Sequence, residues 1–171
     1  MHLLLKHKGI MVPASILEKI YSLASIIEKA NQWKKEGKKI VFTNGVFDLL
    51  HKGHIFSLTQ AVKEGDVLVI GLNSDSSVKK LKGDSRPIND QDSRALLLAA
   101  LSMVGAVVIF EEDTPLKLIT SILPAVLVKG GDYTIDEIAG AKEVIANGGK
   151  VVINPILDGF STTSIIKAIS Q

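Results

Sequence analysis

The sequence predicts an α/β domain built on a parallel sheet of five short strands, preceded by an N-terminal helical extension. Three observations predict it. Short runs rich in Val and Ile recur along the chain from residue 38 onward. Each is near-continuous rather than alternating, as strands covered on both faces are. A stretch with helical character follows each of them, and strand–helix alternation calls for right-handed crossovers between parallel neighbours. At 171 residues, one full core is the simplest arrangement.

The extension, residues 1–37, comes first. Ile16, Ile20, Leu23, Ile27 and Ala30, with Trp33 less regular, form an apolar stripe over Ile16–Lys35, with Ser15 as N-cap and Gly37 as terminator. The remaining chain, 38–171, then alternates. Strands are expected at Lys39–Thr43, Val67–Leu72, Ala106–Phe110, Ala125–Val128 and Lys150–Ile153. Helices are expected at Ile55–Lys63, Gln91–Met103, Pro115–Leu123, Ile135–Ala146 and Thr162–Ile169. Thr114-Pro115 reads as an N-cap followed by a first-turn proline, and Asn147-Gly148-Gly149 as a C-cap and turn. Asn73–Asp90 is polar and too long for a simple turn, so it is expected to be a functional loop.

Composition narrows the function. A formal charge of +2 gives no case for nucleic acid or an anionic membrane as partner. The absence of cysteine removes disulfides, thiolate metal sites and cysteine nucleophiles, and fits a reducing cytoplasm. No stretch approaches the 18 or so apolar residues of a membrane span. Leu3-Leu4-Leu5 is broken by Lys6, His7 and Lys8, which is too short for a signal peptide, and Met11 is an alternative start.

Four constellations carry candidate chemistry. In His51-Lys52-Gly53-His54, two imidazoles three residues apart share one side of a helix's first turn, and free N–H groups there attract anions. Thr43, Asn44, Gly45, Phe47 and Asp48 lie just before them, and Gly53 lets a ligand approach the backbone. No Gly-Lys-Ser/Thr follows, so this is not a Walker A loop. The second set, Lys79, Lys80, Lys82, Arg86 and Arg94, offers cations for a polyphosphate. In the third, Lys129-Gly130-Gly131-Asp132-Tyr133, a carboxylate and a phenol suit hydroxyls or a base. The fourth, Gly159 to Ser164, puts hydroxyls at a helix start. Each has an ordinary alternative: capping side chains, a solvated charged loop or a tight turn. All four sit at the carboxyl ends of strands or in loops feeding them, where open parallel sheets bind ligands.

These residues resemble a known family. His51-Lys52-Gly53-His54 looks like the His-x-Gly-His signature of the nucleotidyltransferase superfamily, and Gly159-x-Ser161-Thr162-Thr163 resembles the second signature of its cytidylyltransferase-like branch. Thr43–Asp48, Leu81–Pro87, Phe110–Pro115, Val128–Tyr133 and Lys142-Glu143-Val144 are similar to the heptose 1-phosphate adenylyltransferases that make ADP-heptose. Gly105 and Ser164 depart from that pattern. The resemblance implies a Rossmann-like, doubly wound sheet of order 3-2-1-4-5. It implies transfer of AMP from ATP to D-glycero-β-D-manno-heptose 1-phosphate, releasing pyrophosphate, for the inner core of lipopolysaccharide. It further implies a stand-alone, cytoplasmic enzyme without a kinase half, forming a dimer or tetramer. Rivals are a cytidylyltransferase acting on glycerol 3-phosphate or another small phosphorylated alcohol, and a nucleotide-binding module without catalysis.

Under this resemblance His51, His54, Lys82 and Arg94 are the expected catalytic residues. Thr43, Asn44, Gly45, Phe47, Asp48, Gly53, Gly131, Asp132, Tyr133, Ser161, Thr162 and Thr163 are expected to bind the nucleotide, and Arg86 the substrate. Mg²⁺ is expected to bridge phosphate oxygens rather than sit in a protein cage. Asp48 is open between orienting a histidine, meeting the metal through water, and serving as a structural cap or backbone acceptor.

Overall fold

The computed structural model describes residues 3–131, 133–157 and 159–169. In chain order it holds β1 (Leu4–His7), β2 (Ile10–Pro13), α1 (Ala14–Leu17), β3 (Ile20–Tyr21), α2 (Leu23–Lys35), β4 (Ile40–Gly45) and α3 (Lys52–Val62). Then come β5 (Val67–Asn73), α4 (Asp75–Lys82), α5 (Gln91–Ala100), β6 (Ala106–Phe110), α6 (Leu116–Ile122) and β7 (Val126–Gly130). A 3-10 turn (Ile135–Glu137), α7 (Ala141–Ala146), β8 (Lys150–Asn154) and α8 (Thr162–Ile169) complete it.

The central sheet is parallel throughout, in the order β3-β6-β5-β4-β7-β8. The five expected strands stand in the expected order 3-2-1-4-5. A sixth, the two-residue β3, adds to the outer edge by pairing Ile20 with Val107 and Tyr21 with Val108. Side chains alternate across the sheet. Phe42, Val69, Val108 and Leu127 face α2, α6 and α7, whose Ile26, Ala30, Trp33, Leu118, Ile119, Ile122, Ala141 and Val144 complete one core. Val41, Leu68, Ile70, Val107 and Val126 face α3 and α5, with Leu58, Ala61, Ala95, Leu98 and Ala99. Helices on both faces explain why the strands read as unbroken apolar runs.

Five local expectations are corrected. The helix over Ile16–Lys35 is divided into α1, β3 and α2, because the backbone of Ile20-Tyr21 pairs with β6 instead of continuing a helix. The cap of α2 is therefore Ser22, whose hydroxyl accepts from the Ser25 N–H at 3.2 Å, and not Ser15. Asn73–Asp90 is not all loop, since Ser74 caps α4 within it. Residues 135–146 form a 3-10 turn and then α7, separated by Gly140 at φ 85°. Pro115, rather than Thr114, is the residue before α6, and it offers no side-chain cap. The first residues also fold: β1 and β2 form an antiparallel hairpin whose turn residues Lys8 and Gly9 both have positive φ, 43° and 93°.

Candidate active site

Strand order reverses at β4. The chain steps outward from β4 to β5 and β6, then returns to place β7 on the other side of β4. The crevice beyond the carboxyl ends of β4 and β7 is where such a sheet opens. Phe47, just past β4, turns the chain with φ 46°, a left-handed conformation uncommon for a bulky side chain and frequent at functional sites.

α3 starts in this crevice. His51 is its N-cap, in extended backbone, and its side chain caps nothing. The first N–H groups of α3 therefore lack a side-chain cap from His51 and offer donors to an anion. The rings of His51 and His54 stack with centroids 3.8 Å apart at 24°, as spacing by three on a helix allows. Phe47 packs against His54 at 5.1 Å. Gly53 makes room for the stack: a Cβ there would lie 3.0 Å from His51 Nδ1 and 3.1 Å from Phe160 Cβ. Both Nδ1 atoms are buried without a hydrogen-bond partner. An unpartnered acceptor is better tolerated than an unpartnered N–H, which favours the Nε2–H tautomer and gives each ring one donor. Burial, with His51 adding a smaller repulsion, lowers the pKa of His54 to about 4; burial lowers that of His51 as well. At neutral pH both are neutral hydrogen-bond donors.

Two adjoining clefts share Val46, Phe47 and His54. The first, about 270 Å³, is also lined by Asp48, Lys82, Arg86, Thr162 and Thr163. The second, about 240 Å³, is lined by Thr43, Asn44, Gly45, Ser57, Lys129, Gly130 and Tyr133 among others. Most of the expected residues thus converge from β4, α3, α4, β7 and α8. The first cleft is basic, with hydroxyls at the start of α8. The second is walled by neutral polar groups, the apolar Val46 and Leu58 and the rings of Phe47, His54 and Tyr133, with Lys129 the cation among its lining residues.

Two expected residues lie in the framework instead. Arg94 has no solvent exposure. Its guanidinium donates to the carbonyls of Asn89 at 3.0 Å, Val46 at 2.7 Å and Asn73 at 2.9 Å, and to the Asp75 carboxylate at 2.7 Å. It ties together the segments that border the first cleft without facing it. Asp48 is 2% exposed and its carboxylate is fully engaged. It accepts from Arg86 Nε at 2.5 Å and from the N–H groups of Ile88 at 2.7 Å and Asn89 at 3.1 Å. Of its three open roles, the structure gives backbone acceptor and anchor of the Gly83–Asp90 loop. Arg86 lines the cleft with its charge already opposed by Asp48.

Ser161 caps α8, its hydroxyl accepting from the Ser164 N–H at 3.0 Å, so the cleft receives Thr162 and Thr163 rather than Ser161. Gly131, at φ 109°, passes beneath the Tyr133 ring. Asp132 lies outside the described residues. Lys79 and Lys80 are exposed, Lys80 pairing with Asp113, so Lys82 is the lysine of that helix that lines the cleft. Ser57 and Lys129 had no assigned role in the sequence. No group of three or more His, Asp or Glu among the described residues is placed to hold a metal ion. The Asp48 carboxylate at the first cleft is already engaged by Arg86 and two N–H groups, so it is not free to hold a cation alone.

Residues 42–168 match the cytidylyltransferase-like family. The bifunctional protein HldE of Shigella flexneri is 59% identical over 138 residues, which is 81% of this chain and 29% of that protein. HldE of Rhodopseudomonas palustris (strain BisB18) is 53% identical over 162 residues, 93% of this chain and 33% of that protein. The chain thus spans about a third of the length of these relatives. Among solved structures, the lipopolysaccharide core biosynthesis protein from Thermoplasma volcanium GSS1 superposes with TM-score 0.58 at 31% identity, covering 71% of this chain and 98% of its own. A pantoate–β-alanine ligase from Francisella tularensis, complexed with β-γ ATP and β-alanine, reaches TM-score 0.57 at 17% identity over 88% of this chain and 76% of its own, a likeness of fold.

Proposed function

This chain belongs to the cytidylyltransferase-like family and is a nucleotidyltransferase, and we propose that it transfers AMP from ATP to D-glycero-β-D-manno-heptose 1-phosphate, giving ADP-heptose and pyrophosphate. The observation that carries the proposal is the pair of neutral, stacked imidazoles at the start of α3, of which His54 lines a cleft that also receives Lys82, Thr162 and Thr163. The likeness to HldE proteins supports heptose 1-phosphate as the acceptor.

No protein nucleophile is required. An oxygen of the sugar phosphate attacks the α-phosphorus in line while its bond to the pyrophosphate oxygen breaks. Catalysis is then positioning and stabilisation of spread negative charge. His51 and His54 donate Nε2–H to the triphosphate, and the first N–H groups of α3 add their dipole. Lys82, Thr162 and Thr163 hold the β- and γ-phosphates. Arg86 flanks them, while Asp48 and Arg94 are positioning residues that fix the loop and the strand ends. Gly45, Asn44, Thr43 and Tyr133 border the nucleoside or sugar. Mg²⁺ would enter on the phosphate oxygens and neutralise charge there.

A cytoplasmic enzyme, assembled as a dimer or tetramer and serving lipopolysaccharide core synthesis, belongs to the same proposal. No described helix is long and apolar enough to cross a membrane. The test is pyrophosphate release by the purified protein with Mg²⁺, heptose 1-phosphate and either ATP or CTP. Release with ATP alone is expected. Release with CTP alone would move the reading to a cytidylyltransferase, and no release with either would overturn it.

A further inference from the structure

We propose that Lys129 is a phosphate-binding residue of the second cleft, meeting the anion at which transfer occurs. The inference rests on the nucleotidyl-transfer reading and adds a residue to it.

Lys129 follows Val126, Leu127 and Val128, which are buried in the sheet, and sits at the carboxyl end of β7 beside the switch point. It lines the second cleft with Thr43, Asn44, Gly45 and Tyr133. Its ammonium reaches Asn44 Oδ1 at 3.3 Å and lies 5.3 Å from the centre of the Tyr133 ring. Both partners are neutral. Among the described residues no carboxylate pairs with it, whereas Lys8, Lys38, Lys80, Lys117 and Lys150 each have one. Those lysines are on the exposed surface, where pairing matters least; Lys129 is half-buried and has no carboxylate partner among the described residues. A cation held partly out of water without a counter-anion is unfavourable, and burial lowers its pKa accordingly.

An arriving anion resolves that cost. In-line transfer brings the acceptor's phosphate against the nucleotide's α-phosphate, two groups of like charge. The residues common to both clefts, Val46, Phe47 and His54, mark where these groups meet. Lys82 supplies a cation in the first cleft and Lys129 in the second, while the charge of Arg86 is opposed by Asp48. Asn44 and the Tyr133 ring aim the ammonium without cancelling it. Lys129 donates hydrogen bonds and keeps its protons as the new P–O bond forms and pyrophosphate leaves. The shared chemistry is a phosphate; its source is either the acceptor or the nucleotide.

The test compares native protein with Lys129→Met, which keeps the stem and removes the charge, and with Lys129→Arg. Turnover with ATP and heptose 1-phosphate should fall about a hundredfold or more in Lys129→Met and recover in part in Lys129→Arg. Thermal stability should hold or rise, because an unpaired buried charge is gone; a purely structural lysine would lower it. Calorimetry with a non-hydrolysable α,β-methylene ATP, and separately with heptose 1-phosphate and inorganic phosphate, assigns the source. Weaker nucleotide binding points to the α-phosphate, and weaker sugar-phosphate or phosphate binding to the acceptor; either supports the proposal. Turnover within about threefold of native and unchanged binding of all three probes would overturn it. If the native protein is inactive with the sugar phosphate, the functional reading fails separately, and the nucleotide and phosphate arms still decide Lys129.

Discussion

Replacing Arg94 with methionine should destabilise the fold by about 3–5 kcal/mol, the cost of breaking a buried charged network. The figure follows from the contacts. Methionine keeps much of the side-chain volume but none of the four donated bonds, which span 2.7–3.0 Å. Three backbone carbonyls lose a donor, each worth about 1–3 kcal/mol when left unsatisfied in the interior. Asp75 loses its partner too, but its side chain is 34% exposed and water restores part of its solvation. The lower half of the summed range is therefore appropriate. For a chain of this length each kcal/mol moves the melting point by about 2–4 °C, so a fall of about 6–20 °C is expected. Because Val46, Asn73 and Asn89 belong to segments around the first cleft, the KM for ATP should also rise at temperatures where the variant is folded. Thermal melts, urea unfolding and ATP kinetics read these effects. A loss under about 1 kcal/mol with a native KM would refute the reasoning that Arg94 holds these segments together.

Other expectations concern the cleft itself. His54→Ala should lower turnover about a hundredfold or more with the fold intact, the scale for losing one preorganised donor; near-native turnover in a folded variant would remove its role. By NMR titration His54 should stay neutral until about pH 4. An unfolded chain protonates it near pH 6.5, so this residue's contribution is full above that value and declines as pH falls toward 4; a midpoint of 6 or higher would contradict the burial argument. Gly53→Ala places a methyl 3.0 Å from His51 Nδ1, displacing the stacked pair. A fold kept with turnover reduced about tenfold to a hundredfold is expected, and undiminished turnover would show the stack to be dispensable. Asp48→Asn should free the Gly83–Asp90 loop and raise the KM for ATP more than it lowers kcat; an unchanged KM would count against the anchoring role.

The sheet was legible because both faces of its strands are covered, which leaves continuous runs such as Ile40-Val41-Phe42 with little to confuse them. α4 was not, because Asp75–Lys82 buries only Ser77 and Val78 and so shows no stripe. At the N-terminus the apolar spacing continued through Ile20, yet pairing with Val107, distant in sequence, overrode it. The hairpin's signal was present in Lys8-Gly9, a two-residue turn ending in glycine. The His51–His54 pair could be read because its geometry is local. The positions of Asp48 and Arg94 could not, because their partners Asn89 and Val46 lie 41 and 48 residues away. A short-range pattern shows that a charged residue exists near a site, and only the fold decides whether its charge faces the ligand or the backbone. Lys129 illustrates the reverse, since one lysine at the end of an apolar run carries no sign of its neutral surroundings.

The most direct test of AMP transfer is phosphorus-31 NMR of native protein incubated with Mg²⁺, ATP and heptose 1-phosphate. AMP transfer predicts growth of two coupled resonances of an unsymmetrical sugar–nucleotide diphosphate in step with pyrophosphate. An unchanged spectrum, or release of inorganic phosphate and ADP without the coupled pair, would contradict it.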